Sequence, residues 1–187
     1  PELQDPVLLV GLSGWIDASA AAKGAVDAIV TDAETSPVLE FDDDTYVDFR
    51  ARRPVMELRE GLNSVLNWER ITLSLGRDQT GHDLLLLTGP EPDMAWHRFT
   101  RSVGELAQQL GVRAMAHLGA YPFATPHTRP ARISVSSPSH DVLMRVPFLR
   151  SSIDVPAGVA AALEHELHDR GIASLGIWAQ VPHYISS

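Results

Sequence analysis

Residues 83–110, DLLLLTGPEPDMAWHRFTRSVGELAQQL, decide the fold of this chain. The four leucines at 84–87 form a short run that is apolar on both faces, which is typical of a strand buried inside a parallel sheet. Thr88, Gly89 and Pro90 end the strand, and a helix is predicted to begin directly after Pro92 or Asp93. The apolar residues of this helix recur at spacings of three and four, so they lie on one stripe that faces the core. They are Trp96, Phe99, Val103, Leu106 and Leu110. The stretch therefore predicts a strand, a tight turn and a helix, which is half of a parallel α/β unit.

The rest of the chain repeats this alternation. Apolar runs predict further strands at residues 7–11, 38–41, 112–118, 133–135 and 173–181. Helices are predicted after Asp17, a suitable N-cap, and after Pro156, with a short helix at 140–146. Gly111 and Gly171 are expected to end two of the helices, and the alternation at 71–75 predicts an edge strand or a hairpin arm. The pattern predicts an α/β fold, with a mostly parallel sheet covered on both faces, in a single domain over residues 1–187.

Composition and charge exclude several classes of protein. The chain of 187 residues has a formal net charge of −9, which disfavours binding to nucleic acids and to anionic membranes. It contains no cysteine, so disulfides, thiolate metal sites and cysteine nucleophiles are excluded. No apolar run approaches the roughly 18 residues of a membrane span, and the first residues lack the basic segment of a signal peptide. We therefore expect a soluble protein of the cytoplasm, with no nucleic-acid or membrane partner.

Polar residues follow five of the predicted strands, at the point where each strand ends. The carboxyl ends of parallel strands meet at one edge of a sheet, where ligands of α/β proteins bind. This edge is the predicted site, although caps and turn residues also belong at strand ends. The candidate ligand or partner residues are Trp15, Asp17, Asp42, Glu91, Asp93, His127, Arg129, His183 and Tyr184.

The catalytic motifs that the sequence suggests are incomplete. GLSGW, residues 11–15, has neither the lysine of a Walker loop nor the third glycine of a dinucleotide-binding turn. Ser13 resembles the serine of a nucleophile elbow, but Trp15 stands where G-x-S-x-G requires glycine. If Ser13 were a nucleophile, either of two histidines and either of two carboxylates would complete a triad, and spacing does not choose among His127, His183, Asp42 and Asp93.

Metal binding also lacks a complete motif. HELH at 165–168 is not H-E-x-x-H, and its acidic neighbours Glu164, Glu166 and Asp169 indicate a solvated face. Oxygen and imidazole ligands from separate strand ends would form a Mg²⁺ or Zn²⁺ site only if the fold brings together Asp42, Glu91, Asp93, His127 and His183. We predict no resident metal and no cofactor.

The loop PHTRP, residues 126–130, is a basic island in an acidic chain. Proline on both sides restricts the backbone and lowers the cost of ordering the loop. Arg129 in such a loop suits a carboxylate ligand or an acidic partner, and the alternative is an ion pair with a neighbouring loop carboxylate.

Five segments together resemble the bacterial, actinobacterial-type branch of the proteasome assembly chaperone 2 family. They are VGLSGWIDASAAA (10–22), FDDDTYVDFRARRPVMEL (41–58), LLLLTGPEPDMAWHRF (84–99), LGAYPFATPHTRP (118–130) and VPHY (181–184). The resemblance implies a three-layer α/β/α fold similar to that of nucleoside phosphorylases and related hydrolases. It also implies a C-terminal helical region after VPHY, which this sequence lacks. The eukaryotic namesakes act as paired chaperones without catalysis, and the family supplies no catalytic residues to carry over.

Two functions remain open at this point. The first is a non-enzymatic, chaperone-like module that binds a protein partner and self-associates as a homo-oligomer. Its candidate aromatic anchors, which are otherwise core residues, are Trp15, Trp68, Trp96 and Trp178. The second is a small-molecule hydrolase or phosphorylase-like enzyme whose site lies at the strand ends, with Arg129 holding an anion.

Overall fold

Strand β6 (Asp83–Pro90) lies inside the sheet and has neighbours on both sides. In the computed structural model, which describes residues 3–14 and 16–184, β6 pairs in parallel with β1 (Val7–Ser13) and antiparallel with β5 (Thr72–Arg77). Leu85 and Leu87 point into one apolar cluster and Leu86 points into another, on the opposite face. Burial on both faces explains why this strand is a continuous leucine run rather than an alternating one.

The sheet has seven strands in the order β2, β5, β6, β1, β7, β9, β8. The remaining strands are β2 (Ser36–Glu40), β7 (Ala114–Phe123), β8 (Ile133–Ser136) and β9 (Ala173–Pro182). The contacts of β1 with β6, of β1 with β7 and of β7 with β9 are parallel, whereas those at the flanks are antiparallel. The α/β class is therefore confirmed, with a mixed sheet that is parallel at its centre.

Helices pack on both faces of the parallel centre. Val26 of α1 (Ala21–Asp32) packs with Leu9 and Leu86 on one face. Helices α3 (Trp96–Gln109) and α5 (Val159–Asp169) bury their apolar side chains in the cluster on the other face. The other helical elements within residues 3–14 and 16–184 are two short helices, α2 (Asp43–Tyr46) and α4 (His140–Met144), and a 3₁₀ turn at Ala18–Ala20.

The predicted stripe on α3 is confirmed. Phe99 and Val103 are buried, and Trp96, Leu106 and Leu110 pack partly buried against the same cluster. The helix begins at Trp96, later than the predicted start, because Ala95 has a left-handed backbone with φ of 57°. Gly111 and Gly171 follow α3 and α5 with φ of 71° and 80°, as expected of C′ glycines. The helix predicted from Pro156 begins at Val159.

Residues 72–75 belong to β5, which forms an antiparallel hairpin with β6, so the predicted hairpin arm is confirmed. β5 lies between β2 and β6 rather than at an edge of the sheet, and Ile71, Leu73 and Ser74 are buried. The polar side chains at 72 and 74 suggested that one face of the strand is exposed to solvent. Ser74 is buried nonetheless, because a small hydroxyl is tolerated between two neighbouring strands.

A two-stranded hairpin lies apart from the main sheet. Its strands β3 (Val55–Arg59) and β4 (Leu62–Asn67) pair only with each other among the described strands. We call residues 55–67 the arm. Every residue of the arm except the half-buried Glu57 is exposed, and none of its side chains belongs to the apolar clusters. The sequence predicted neither strand nor helix clearly here. Side chains that do not pack on a core need not alternate between apolar and polar residues, so the usual pattern of a strand is missing.

Gly89 at the end of β6 is required by a close approach. Its φ is 122°, and a Cβ placed there would come within 2.1 Å of the backbone oxygen of Arg70. The same Cβ would be 2.8 Å from Cα of Ile71. A side chain at this position would therefore push β6 away from the start of β5.

We expect Gly89→Ala to lower the free energy of unfolding by about 3 kcal/mol or more, because backbone atoms cannot move aside cheaply. Gly81→Ala is the matched control, since Gly81 also has positive φ (90°) but a Cβ there would meet nothing within 4 Å. The control should cost about 1–2 kcal/mol, from the left-handed backbone alone. Urea unfolding measures both values, and equal losses would contradict the steric argument.

Candidate functional site

Five strand ends meet at one edge of the sheet, as the sequence predicted. Strands β6, β1, β7 and β9 are parallel neighbours, and β2 runs in the same direction because it is antiparallel to β5. The loops after these strands carry the candidate residues. Trp15 lies outside the described residues.

Glu91 links three elements at this edge. One of its carboxylate oxygens, Oε1, accepts a hydrogen bond from the backbone N–H of Val159, the first residue of α5. Its other oxygen would lie 2.7 Å from a Cβ placed on Gly14, so the side chain fills the space beside the end of β1. A carboxylate at a helix N-terminus satisfies a free amide and interacts favourably with the helix dipole. Glu91 thus holds the start of α5 against β6 and β1.

Asp93 forms a partly buried ion pair with Arg52. Nε of Arg52 lies 3.1 Å from both carboxylate oxygens of Asp93. The backbone N–H of Asp48 donates to Asp93 Oδ2 at 3.0 Å. These bonds tie the loop after β6 to the segment that leads into the arm. Arg52 therefore has a structural partner.

Asp17 caps α1, whereas Asp42 bonds to a side chain of α2. The two carboxylate oxygens of Asp17 accept from the backbone N–H groups of Ala22 (2.8 Å) and Lys23 (2.9 Å), in the first turn of α1. Asp42 precedes α2 and accepts a hydrogen bond from the hydroxyl of Thr45. Both carboxylates therefore satisfy donors of the turns that follow their strands.

Three candidate rings come together at the other end of the edge. The hydroxyl of Tyr184 accepts from the backbone N–H of His127 at 2.8 Å and lies 3.0 Å from His127 Nδ1. The ring of Tyr184 also contacts the ring of His183, with centroids 5.4 Å apart. Arg129 is exposed on the same loop and forms no ion pair within the described part of the chain. The contact between His127 and Tyr184 joins the loop after β7 to the end of β9.

The candidate residues thus form separate local groups rather than one constellation. Glu91 bonds to α5, Asp93 pairs with Arg52, and His127 contacts Tyr184. Among residues 3–14 and 16–184, no group of three or more histidine, aspartate or glutamate side chains has the arrangement of a metal site. In the same residues, no helix is long and apolar enough to cross a membrane.

An open depression of about 260 Å³ lies where β2 ends and β5 approaches. It is lined by Asp42, Asp43, Asp44, Phe49, Trp68 and Arg70. Trp68, a candidate core residue, is 42% exposed and packs edge-on against Phe49. Burial raises the pKa of the Asp43 carboxyl above its ordinary value, and the nearby Arg70 opposes this rise. Oδ1 of Asp43 is buried without a hydrogen-bond partner among the described residues.

A buried polar pair lies away from the strand ends, on the face covered by α5. Nε2 of His117 on β7 lies 2.6 Å from Oε1 of Glu164 on α5. Ser136 donates its hydroxyl to the same oxygen at 3.1 Å and accepts from the indole N–H of Trp178 at 3.0 Å. Glu164 is only 4% exposed, so the prediction that it lies on a solvated acidic face is wrong. Both ends of this pair are hydrogen-bonded, as buried polar groups require.

The sequence contained a signal for this pair. Leu163 and Leu167 are apolar residues four apart, which is typical of a buried helix face, and position 164 lies three residues before 167 on the same side of the helix. His117 interrupts an apolar strand at a position predicted to be buried. The acidic neighbours on α5 concealed the signal, because charge alone suggests exposure.

These geometries define a class of protein. It is an α/β protein with a mixed seven-stranded sheet, and most of its candidate strand-end side chains bond to their own chain. The PAC2 family model matches residues 11–187. The chain belongs to the PAC2 family.

Solved structures of bacterial proteins are similar over the whole chain. A protein of unknown function from Corynebacterium glutamicum ATCC 13032 is 31% identical with a TM-score of 0.89, covering 100% of this chain and 71% of that chain. The unknown function protein Rv2714 of Mycobacterium tuberculosis is 33% identical with a TM-score of 0.88, and the match covers 100% of this chain and 65% of that chain. The Mycobacterium tuberculosis proteasome-assembly chaperone homologue Rv2125 is 31% identical with a TM-score of 0.88, and the match covers 96% of this chain and 77% of that chain.

The chain is shorter than these three proteins, since it spans between 65% and 77% of their lengths. No curated protein matches it.

We expect Glu91→Ala to lower the free energy of unfolding by about 1–2 kcal/mol, because the N–H of Val159 loses its acceptor. Glu105→Ala, at an exposed position of α3, is the control and should change stability by less than about 0.5 kcal/mol. Chemical denaturation measures both. A loss at Glu91 no larger than at Glu105 would show that the cap does not stabilise the fold.

Asp43→Asn should raise the melting temperature at pH 7. The pKa of Asp43 is raised in the folded protein, so its charged form destabilises the fold at every pH above that raised pKa. The gain should vanish near about pH 3, where the carboxyl is protonated in both the folded and unfolded chain. Asp44→Asn, the exposed neighbour, is the control, and thermal scans at the two pH values make the comparison. A gain at Asp43 that persists in acid would rule out titration as its cause.

Proposed function

We propose that this protein is a non-enzymatic, chaperone-like interaction module that binds a protein partner and self-associates. Membership of the PAC2 family supports this, because a relative of 31% identity is a proteasome-assembly chaperone homologue. The partner that we propose is a proteasome subunit.

The observation that carries the proposal is the exposed apolar surface of the arm. Val55 and Leu62 are 66% and 68% exposed, and further large apolar side chains on both strands are exposed at Met56, Leu58, Val65 and Leu66. A group of exposed large apolar side chains indicates an interaction site in a water-exposed protein. An isolated two-stranded hairpin is also only marginally stable in water, so a partner would stabilise the arm itself.

The strand-end geometry supports an interaction module over a hydrolase. Asp17, Glu91 and Asp93 accept hydrogen bonds from backbone amides of their own chain, which leaves each with a structural role. The loops around His127, Arg129, His183 and Tyr184 are exposed, and we propose them as a second contact surface.

Three further features belong to the proposal. The chain forms a single domain, and helices on both faces of the sheet give it the three-layer arrangement of the nucleoside phosphorylase-like fold. The apolar clusters on opposite faces support that arrangement. The protein acts in the cytoplasm.

The function is tested by binding to purified proteasome α subunits from the same organism. We expect the double variant Val55→Lys/Leu58→Lys to lose this binding, because two charges on the arm would have to be desolvated at the contact. Its stability should be nearly unchanged, since both side chains are exposed.

Ile153→Lys is the control, because Ile153 is 73% exposed and lies outside the arm. Co-sedimentation of each variant with the α subunits gives the readout. Unaltered binding by the double variant would remove the arm from the contact. A wild-type protein that does not bind the subunits would remove the proteasome as the partner.

A further inference from the structure

Strand β8 is the outermost strand at one end of the main sheet, and the chain around Leu149 is hydrogen-bonded to its outer side. The backbone N–H of Val135 donates to the carbonyl oxygen of Leu149 at 2.9 Å. The N–H of Leu149 in turn donates to the carbonyl oxygen of Ile133 at 3.3 Å. These bonds fasten the chain to the rim of the sheet, at the end opposite β2.

Three large apolar side chains are exposed at this rim. Met144, Phe148 and Leu149 lie within residues 144–149, and each is at least 42% exposed. A single exposed apolar side chain is normal on a protein surface and needs no explanation. A group of them on a chain that is held in place indicates an interaction site.

Arginines accompany these apolar side chains. Arg145 follows Met144 directly, and Nη1 of Arg150 lies 3.5 Å from the sulfur of Met144. Arg132 directly precedes β8. All three arginines are exposed, and none of them forms an ion pair within the described part of the chain. We call Arg132 and residues 144–150 the edge patch.

The edge patch lies in a basic part of an acidic chain. Residues 124–158 contain four arginines and two aspartates, which gives a formal charge of +2, whereas the whole chain has a charge of −9. A guanidinium group forms two parallel hydrogen bonds with a carboxylate, and arginine and aromatic side chains are enriched among the residues that dominate interfaces. Unpaired arginines beside apolar side chains therefore suit an occupant that is acidic and apolar.

We propose that the edge patch binds a short acidic segment of a partner protein, in which carboxylates flank a large apolar side chain. The carboxylates pair with Arg145 and Arg150, and the apolar side chain packs on Met144 and Phe148. This inference goes beyond the proposed function, because the contact is separate from the arm and requires no proteasome subunit.

The charge balance of the chain favours a short segment over a larger polyanion. A peptide segment touches only the edge patch, where the local charge is positive. An anionic membrane or a nucleic acid would extend beyond the patch and face the acidic remainder of the chain, which repels it.

A library of short random peptides displayed on phage tests the inference, with the wild-type protein as the immobilised target. Selected peptides should be enriched in aspartate or glutamate next to leucine, isoleucine or phenylalanine. The most enriched peptide is then synthesised, and its dissociation constant is measured by fluorescence anisotropy. We expect Arg145→Glu/Arg150→Glu to weaken its binding at least about tenfold, because two favourable charge pairs become repulsive. Phe148→Ser should weaken binding severalfold, because an apolar contact is lost.

Arg98→Glu/Arg101→Glu is the matched control, because it makes the same change in net charge. Both arginines are exposed on α3 and form no ion pair among the described residues. This variant should bind the peptide as the wild type does. An equal loss in the control, or unaltered binding by Phe148→Ser, would reduce the contact to general charge attraction and overturn the inference.

Two other outcomes would also overturn the inference. One is a selection that enriches no peptides, or peptides without acidic residues. The other is tighter binding of phosphatidylglycerol vesicles than of the peptide, lost in Arg145→Glu/Arg150→Glu, which would assign the edge patch to a membrane. The arm is unchanged in every variant, so binding to proteasome α subunits is a separate measurement, and either proposal can fail without the other.

Discussion

The rest of the structure depends on covering both faces of β6. Leu86 packs under α1 while Leu85 and Leu87 pack under α3 and α5, so none of these helices can be lost without exposing the strand. Burying one leucine side chain contributes about 1.5–3 kcal/mol. The chain turns after this strand so that α3 returns to the sheet, and Ala95, which has a left-handed backbone, lies at that turn. Glu91 bonds to the first residue of α5 at the same edge.

The sequence predicted most of the elements that meet this core. Apolar runs marked β1, β6, β7 and β9, and the spacing of Phe99 and Val103 marked the buried face of α3. The arm was not predicted, because Val55, Leu62 and their neighbours are apolar but exposed on both faces. The preference of residue types for strands does not by itself distinguish such a hairpin from an irregular loop. The hairpin strand at 71–75 was predicted, whereas its position between β2 and β6 was not, since strand order depends on long-range pairing.

The candidate site was predicted only as a location. Topology places the loops after five strands at one edge, and that much follows from an alternating α/β pattern. Which side chains contact each other depends on atomic geometry that no spacing rule contains. Asp93 pairs with Arg52, which is 41 residues earlier in the chain, and Glu91 bonds to Val159, which is 68 residues later. The buried His117–Glu164 pair was concealed by the charged composition of α5.

The separation of the arm from both apolar clusters has a consequence for how this protein could change. A substitution in a buried leucine alters stability and shape together, whereas a substitution at Val55 or Met56 leaves the packed interior untouched. Recognition and folding are therefore encoded by different residues. The chain could exchange one partner for another by altering about a dozen exposed positions on a scaffold that stays the same.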